Sequence, residues 1–200
     1  MNNKKFKQVL DILENSGIIR PKDLESQGIS REYLVRLRKL GLVKRTGRGL
    51  YTKSNMKPGE HHSLAEAAKK VPGGVVCLLS ALNFHNLTTE LPFEVWMAID
   101  VKAWMPKSDT VPLRIVRFSK GALSSGIEEH ILEGVKVRIY NPAKTVADCF
   151  KYRNKIGLDV ALESLRECWR QKLCTIDHIW KYAGICRVSN VIRPYLESLG

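Results

Sequence analysis

The chain lacks any apolar run long enough to cross a bilayer, which takes roughly 20 consecutive apolar residues. Its first residues, MNNKKFKQVLDILENSG, also lack the uninterrupted apolar stretch of a secretory signal. A cytoplasmic protein with no membrane partner is expected. Cysteine is sparse and odd in number: Cys77, Cys149, Cys168, Cys174 and Cys186, with no pair at the two-residue spacing of a zinc knuckle. Most stand in apolar or helical surroundings, where a free thiol acts as a small hydrophobe, so free cysteines in a reducing compartment are expected. Phosphate loops are missing too, because Gly47-x-Gly49 and Gly73-Gly74 have neither the further glycine nor the lysine of that motif. Histidines His61, His62, His85, His130 and His178 are scattered, and adjacent residues of a helix diverge rather than share a metal. No catalytic residue, metal or cofactor is expected.

Acid is the remaining shortage. Only 20 Asp and Glu oppose 33 Lys and Arg, leaving a net charge of +13. Such an excess favours an anionic partner, nucleic acid before a membrane surface. Residues 1–60 hold 14 basic against 6 acidic residues, a balance of +8, so the first third is much the more basic per residue.

That third has a readable order. Phe6, Val9, Leu10 and Leu13 recur at helical spacing before Gly17, and Pro21 opens a short second helix carrying Leu24. Gln27-Gly28-Ile29 turns into a third helix that Ser30 can cap. Tyr33, Leu34, Leu37 and Leu40 are expected to face inward; Arg31, Glu32, Val35, Arg36, Arg38 and Lys39 face out. Gly41 stops this helix. Two strands, Leu42–Arg45 and Leu50–Thr52, then flank a basic turn, Thr46-Gly47-Arg48-Gly49. Helix, helix, glycine turn, helix and hairpin is the order of a winged helix-turn-helix. Double-stranded DNA is the expected partner, contacted by Ser30, Arg31, Val35, Arg36, Arg38, Lys39, Lys44, Arg45 and Arg48. Arginine suits base reading because its planar fork donates twice to guanine. Val35 fits either a thymine methyl or a packing contact with the wing.

The domain layout reads as 1–54 for the winged helix, 55–61 for a linker and 62–200 for an α+β domain. A helix is expected in HHSLAEAAKKV and another, buried, across Val75–Leu87. Strands follow at Glu94–Val101 and Leu113–Phe118, then a hairpin over Ile127–Tyr140 turning at Glu133-Gly134. Asn141-Pro142 caps and opens a helix, and 159–172, 175–183 and 188–199 read as helices. Lys144 and Asp148 stand four apart and are expected to pair on the surface, worth a few tenths of a kcal/mol; Thr145 and Asp148 fit equally a hydrogen-bonded joint against the sheet. Asp100-Val101-Lys102, with Glu90 and Glu94 upstream, allows an alternative reading as a metal-dependent nuclease, on a signal very common by chance. A protein-binding adaptor with a basic face is a third reading.

The chain resembles the AbiEi antitoxins, the regulator half of type IV abortive-infection toxin–antitoxin pairs. The marks are Leu79-Ser80-Ala81-Leu82-Asn83-Phe84-His85-Asn86-Leu87-Thr88, Pro92, Val116-Arg117-Phe118, Glu129-His130, Glu133–Val137, Pro142–Cys149, Ala161–Arg166 and Pro194-Tyr195-Leu196. Many relatives carry arginine at the position of Lys144 and glycine at that of Asn86. The resemblance implies a non-enzymatic autorepressor that binds inverted repeats in its own promoter and serves phage defence. It also implies that the second domain counteracts a nucleotidyltransferase toxin without a stable complex, with Ser80, His85, Thr88, Lys144, Thr145 and Asp148 as its candidate residues.

Overall fold

A computed structural model describes residues 3–106 and 110–198. It divides into two compact units: Met1–Pro72 with Pro106–Pro112 and His130–Val137, and Gly73–Met105 with Leu113–Glu129 and Arg138–Gly200.

The first unit begins with helices α1 (Asn3–Ser16), α2 (Pro21–Glu25) and α3 (Glu32–Lys39), followed by strands β1 (Val43–Gly47) and β2 (Leu50–Lys53). The two strands pair antiparallel from Val43 with Lys53 to Gly47 with Leu50, with an irregularity between Arg45 and Gly47. Ile19 adds a bridge to Tyr51. Phe6, Val9, Leu13, Ile19, Leu24, Ile29, Leu34, Leu37 and Val43 close one core, with Leu10 and Tyr33 partly buried against it. Leu40 corrects the expected pattern, being 58% exposed. It is the C-cap residue of α3, so the chain turns away at Gly41 (φ +72) before Leu40 meets the core. Helix α4 (His62–Lys70) groups with this unit.

The Glu133-Gly134 turn also packs within the first unit. Glu133 accepts the Gly59 N–H at 2.7 Å through Oε1, and its Oε2 lies 2.6 Å from His62 Nδ1. Gly134 has φ +74, and a Cβ there would run into the Asn15 carbonyl and lie 2.7 Å from the Ser16 Cα. Gly49 shares the left-handed backbone (φ +72) but faces open space. Gly49→Ala should therefore cost about 1–2 kcal/mol from backbone strain alone. Gly134→Ala should cost clearly more in urea unfolding, because a packed backbone must also move. Equal losses would mean that the turn does not rest on the end of α1.

The second unit opens with β3 (Val75–Val76) and α5 (Leu78–Phe84), then β4 (Val95–Asp100), β5 (Leu113–Phe118) and α6 (Lys120–Ser124); β6 (Ile127–Leu132) and β7 (Val135–Tyr140) each have residues in both units. Helices α7 (Pro142–Lys151), α8 (Arg153–Ile156), α9 (Leu158–Arg170), α10 (Ile176–Cys186) and α11 (Ser189–Glu197) complete it. The five-stranded sheet has the order β5-β4-β3-β7-β6. β4 pairs parallel with β5 and antiparallel with β3, and β3 meets β7 in parallel. Mixed sheet and helices make the chain α+β. Val75–Leu87 is not one helix: its first two residues enter the sheet, and the helix starts at Leu78 after the extended Cys77. A wholly apolar run carries no period to separate strand from buried helix. Asn141 caps α7 as expected, accepting the Lys144 N–H at 2.8 Å.

The expectation of free cysteines holds for Cys77, Cys149 and Cys186, all buried. Cys168 and Cys174 are instead joined as a disulfide, their Cα atoms 6.4 Å apart. They lie at the end of α9 and in the turn after it, and spacing of that kind has no motif to announce it.

Candidate nucleic-acid interface

Helix α3 is held by Leu34 and Leu37, both buried, and by Tyr33, whose ring meets Phe6 edge-on at 5.6 Å. The Ser30 hydroxyl accepts the Glu32 N–H at 3.3 Å, which places Ser30 at the helix start. At about 100° per residue, Arg38, Arg31, Val35, Lys39, Glu32 and Arg36 then follow one another around the opposite arc. All six are exposed. Arg36 is oriented on both sides: its guanidinium lies 3.4 Å from Glu32 Oε2 and 5.9 Å from the centre of the Tyr33 ring. An exposed pair of this kind is worth a few tenths of a kcal/mol, too little to hold Arg36 away from a phosphate. Val35 stands among cations on the outer arc.

The hairpin buries Val43, Leu50 and Thr52 and turns Lys44, Arg45 and Arg48 outward. Lys44 Nζ donates to the Met56 carbonyl at 3.4 Å, and Arg45 Nε to the Gly47 carbonyl at 3.0 Å. The latter bond curls Arg45 back over the irregularity in β1. Gly47 is buried against Glu66 and Thr110, whose hydroxyl donates to the Glu66 carboxylate. Lys70 adds a cation that no spacing rule could nominate: its Nζ donates to the Arg48 carbonyl at 3.2 Å. It lies 22 residues away on α4, so only the tertiary packing brings it to the tip of the hairpin. The neighbouring Lys69 is committed elsewhere, 2.7 Å from Asp23 on α2. Burial pushes the Asp23 carboxyl up, but Lys69 and the Arg20 N–H outweigh it and hold the group below its ordinary value.

Residues 7–52, from α1 to the second strand of the hairpin, match the family described as transcriptional regulator, AbiEi antitoxin. Over this stretch the chain is similar to the AbiEi regulators. Residues 53–200 lie outside the match, and no curated protein matches the chain. Among the described residues no helix is long and apolar enough to cross a membrane.

The second-unit residues nominated by resemblance turn out to be internal joints. Ser80 links α5 to β4, accepting the Trp96 N–H at 2.9 Å. Thr88 donates to Glu163 of α9 at 2.8 Å, and the Thr89 N–H and hydroxyl reach the same carboxylate. His85 Nε2 and Thr145 Oγ1 converge on the Tyr140 carbonyl, at 2.8 and 3.1 Å. Lys144 and Asp148 are not a surface pair: both side chains are 0% exposed, with Nζ 2.5 Å from Oδ2. The ammonium also lies 4.1 Å from the centre of the Tyr140 ring and 4.9 Å from that of Phe118. The second oxygen of Asp148 accepts from Cys186 Sγ at 3.1 Å. Burial raises the Asp148 carboxyl above its ordinary value, countered in part by Lys144. The i,i+4 spacing was legible, but the depth of the helix was not, because α7 is buried on every side from Ala143 to Phe150.

Two carboxylates of the alternative nuclease reading, Asp100 and Glu94, make local contacts. Asp100 Oδ1 accepts the Lys102 N–H at 2.8 Å in the turn after β4, and Glu94 stands 3.6 Å from Arg114 Nε.

Proposed function

We propose that the chain is an AbiEi-type regulator that represses its own operon, with α3 in a DNA major groove and the β1–β2 hairpin on the adjoining backbone. The observation that supports it most is the cationic arc of α3. Leu34 and Leu37 fix that helix to the core while Arg31, Arg36, Arg38 and Lys39 all remain exposed beside Lys44, Arg45 and Arg48. Arg31 and Arg36 are assigned to bases or their flanking phosphates, Val35 to a thymine methyl, and the hairpin cations to phosphates. The operator is an inverted repeat upstream of its own gene. The likeness of residues 7–52 to the AbiEi antitoxins supports the second half of the reading, in which residues 62–200 form the antitoxin domain and counteract a nucleotidyltransferase toxin without a stable complex. Action on a promoter places the protein in the cytoplasm, and the toxin pairing places it in abortive phage defence.

Titration of the upstream DNA at increasing salt tests the repressor reading. With about six phosphate contacts, affinity should fall on the order of a thousandfold between 50 and 200 mM salt. Affinity indifferent to salt would remove the cationic arc from the interface.

A further inference from the structure

β5 ends the sheet on one side, and its Arg114, Ile115 and Val116 wall an open cavity of about 350 Å³ completed by Trp96 of β4 and Lys155 of α8. Trp96 and Arg114 face each other across the parallel pair. The Arg114 guanidinium lies 5.5 Å from the centre of the indole, which is only 8% exposed, while the Arg114 side chain itself is 59% exposed. The cation therefore lids the tryptophan and turns its own outer surface to the cavity. Lys155 Nζ sits 5.6 Å from the centre of the Tyr152 ring, and the Tyr152 hydroxyl donates to the Arg117 carbonyl at 3.3 Å. That bond ties the segment carrying Lys155 to β5. Glu94 also reaches this rim, its Oε2 3.6 Å from Arg114 Nε.

We infer that the cavity between β5 and α8 is a nucleotide-binding site, with Arg114 on Trp96 as the platform for the base and Lys155 as the phosphate ligand. A guanidinium backed by an indole is flat, rigid and cationic, the surface on which a nucleobase stacks. A lysine ammonium is a compact charge that suits a phosphate and gives no planar platform. Ile115 and Val116 supply apolar wall, and the volume falls at the small end of the roughly 300–1,000 Å³ range of ligand sites. That size matches one nucleotide better than a longer ligand. The site shares no residue with α3 or its hairpin, so it goes beyond the repressor reading.

Calorimetric titration of the full chain with ATP, GTP, CTP and UTP tests it, with adenosine and inorganic tripolyphosphate as partial ligands. Nucleotides should bind with dissociation constants on the order of 0.1 mM, each partial ligand at least about tenfold more weakly. Arg114→Ala and Lys155→Ala should each weaken nucleotide binding about tenfold or more with unchanged circular dichroism. Arg114→Lys should keep the tripolyphosphate affinity and lose the advantage of the nucleotide, because the charge stays and the plane goes. The Arg31→Ala, Arg36→Ala double variant should bind nucleotide as the wild type does. A 5′-phosphorylated trinucleotide that binds more tightly than ATP would assign the end of a nucleic acid as the source; equal affinity would assign a free nucleotide. No saturable binding up to about 5 mM nucleotide, binding untouched by the Arg114 and Lys155 variants, or capture of an acidic extended peptide in its place would overturn the assignment.

Discussion

Lys144→Met should cost the second unit about 3–5 kcal/mol, because it strands a carboxylate that is fully buried. A loss of that size lowers the melting temperature on the order of 10 °C in a chain of this length. The pair is 0% exposed on both sides and is not discounted for solvent screening as a surface pair would be. Two aromatic rings add to the effect, since the Tyr140 and Phe118 faces that held the ammonium lose their cation. Adding Asp148→Asn should recover most of the loss, for an amide removes the stranded charge and its oxygen can still accept from Cys186. The sign of the pH dependence follows from Asp148. Burial raises its carboxyl, so the folded state binds the proton more tightly than the unfolded chain does. Its contribution is fully present below the unfolded pKa and is lost as pH rises through the folded one. In Lys144→Met only the Cys186 hydrogen bond and the charge of Lys151 counter that burial, so the deficit should be largest at neutral pH and shrink on acidification. A deficit independent of pH, or no recovery in the double variant, would mean that the cost is packing and not charge.

The elements that the sequence shows well are those built by short-range rules. Phe6, Val9 and Leu13 mark one helix face, and all three are buried. Gly41 stops α3 through its positive φ, and Asn141 with Pro142 opens α7. The basic turn between β1 and β2 needs only Gly49 and the alternation around it. What the sequence hides is set by depth and by distance along the chain. Lys144 and Asp148 read as a surface pair because spacing says which residues meet, not how much protein covers them. Val75–Leu87 conceals its strand because a run without polar residues has no face. Lys70 reaches the hairpin through the fold of α4, and Glu133 meets Gly59 and His62 from 74 and 71 residues away. The exposure of the arc nominated for DNA was legible because it follows from the burial of Leu34 and Leu37. Those nominated in the second unit carry hydrogen bonds that hold α5, α7 and α9 in place, and pattern alone cannot separate that work from contact with a partner.

Replacing Arg31 and Arg36 together by alanine should weaken binding of the upstream repeat by about 2–6 kcal/mol, roughly thirtyfold to more than ten-thousandfold. Each arginine contributes about 1–3 kcal/mol where its fork meets a guanine edge, and less where it meets a phosphate. Arg36 must leave Glu32 to do so, but that exposed pair offers only about 0.3–0.5 kcal/mol, so the nucleic acid wins. The fold should not suffer, because both side chains are exposed and substitutions at such sites usually stay within about 0.5 kcal/mol. Stability and affinity therefore separate in one variant. A scrambled repeat distinguishes the two kinds of contact: loss of a base contact narrows the gap between operator and scrambled DNA, whereas loss of a phosphate contact weakens both equally and lowers the salt slope by about one per residue. Arg36→Lys sharpens the distinction, since lysine keeps the charge and lacks the fork. If it restores the salt slope without the preference for the operator, Arg36 reads a base. Unchanged affinity in the double variant would leave the hairpin cations alone on the DNA and take α3 out of the groove.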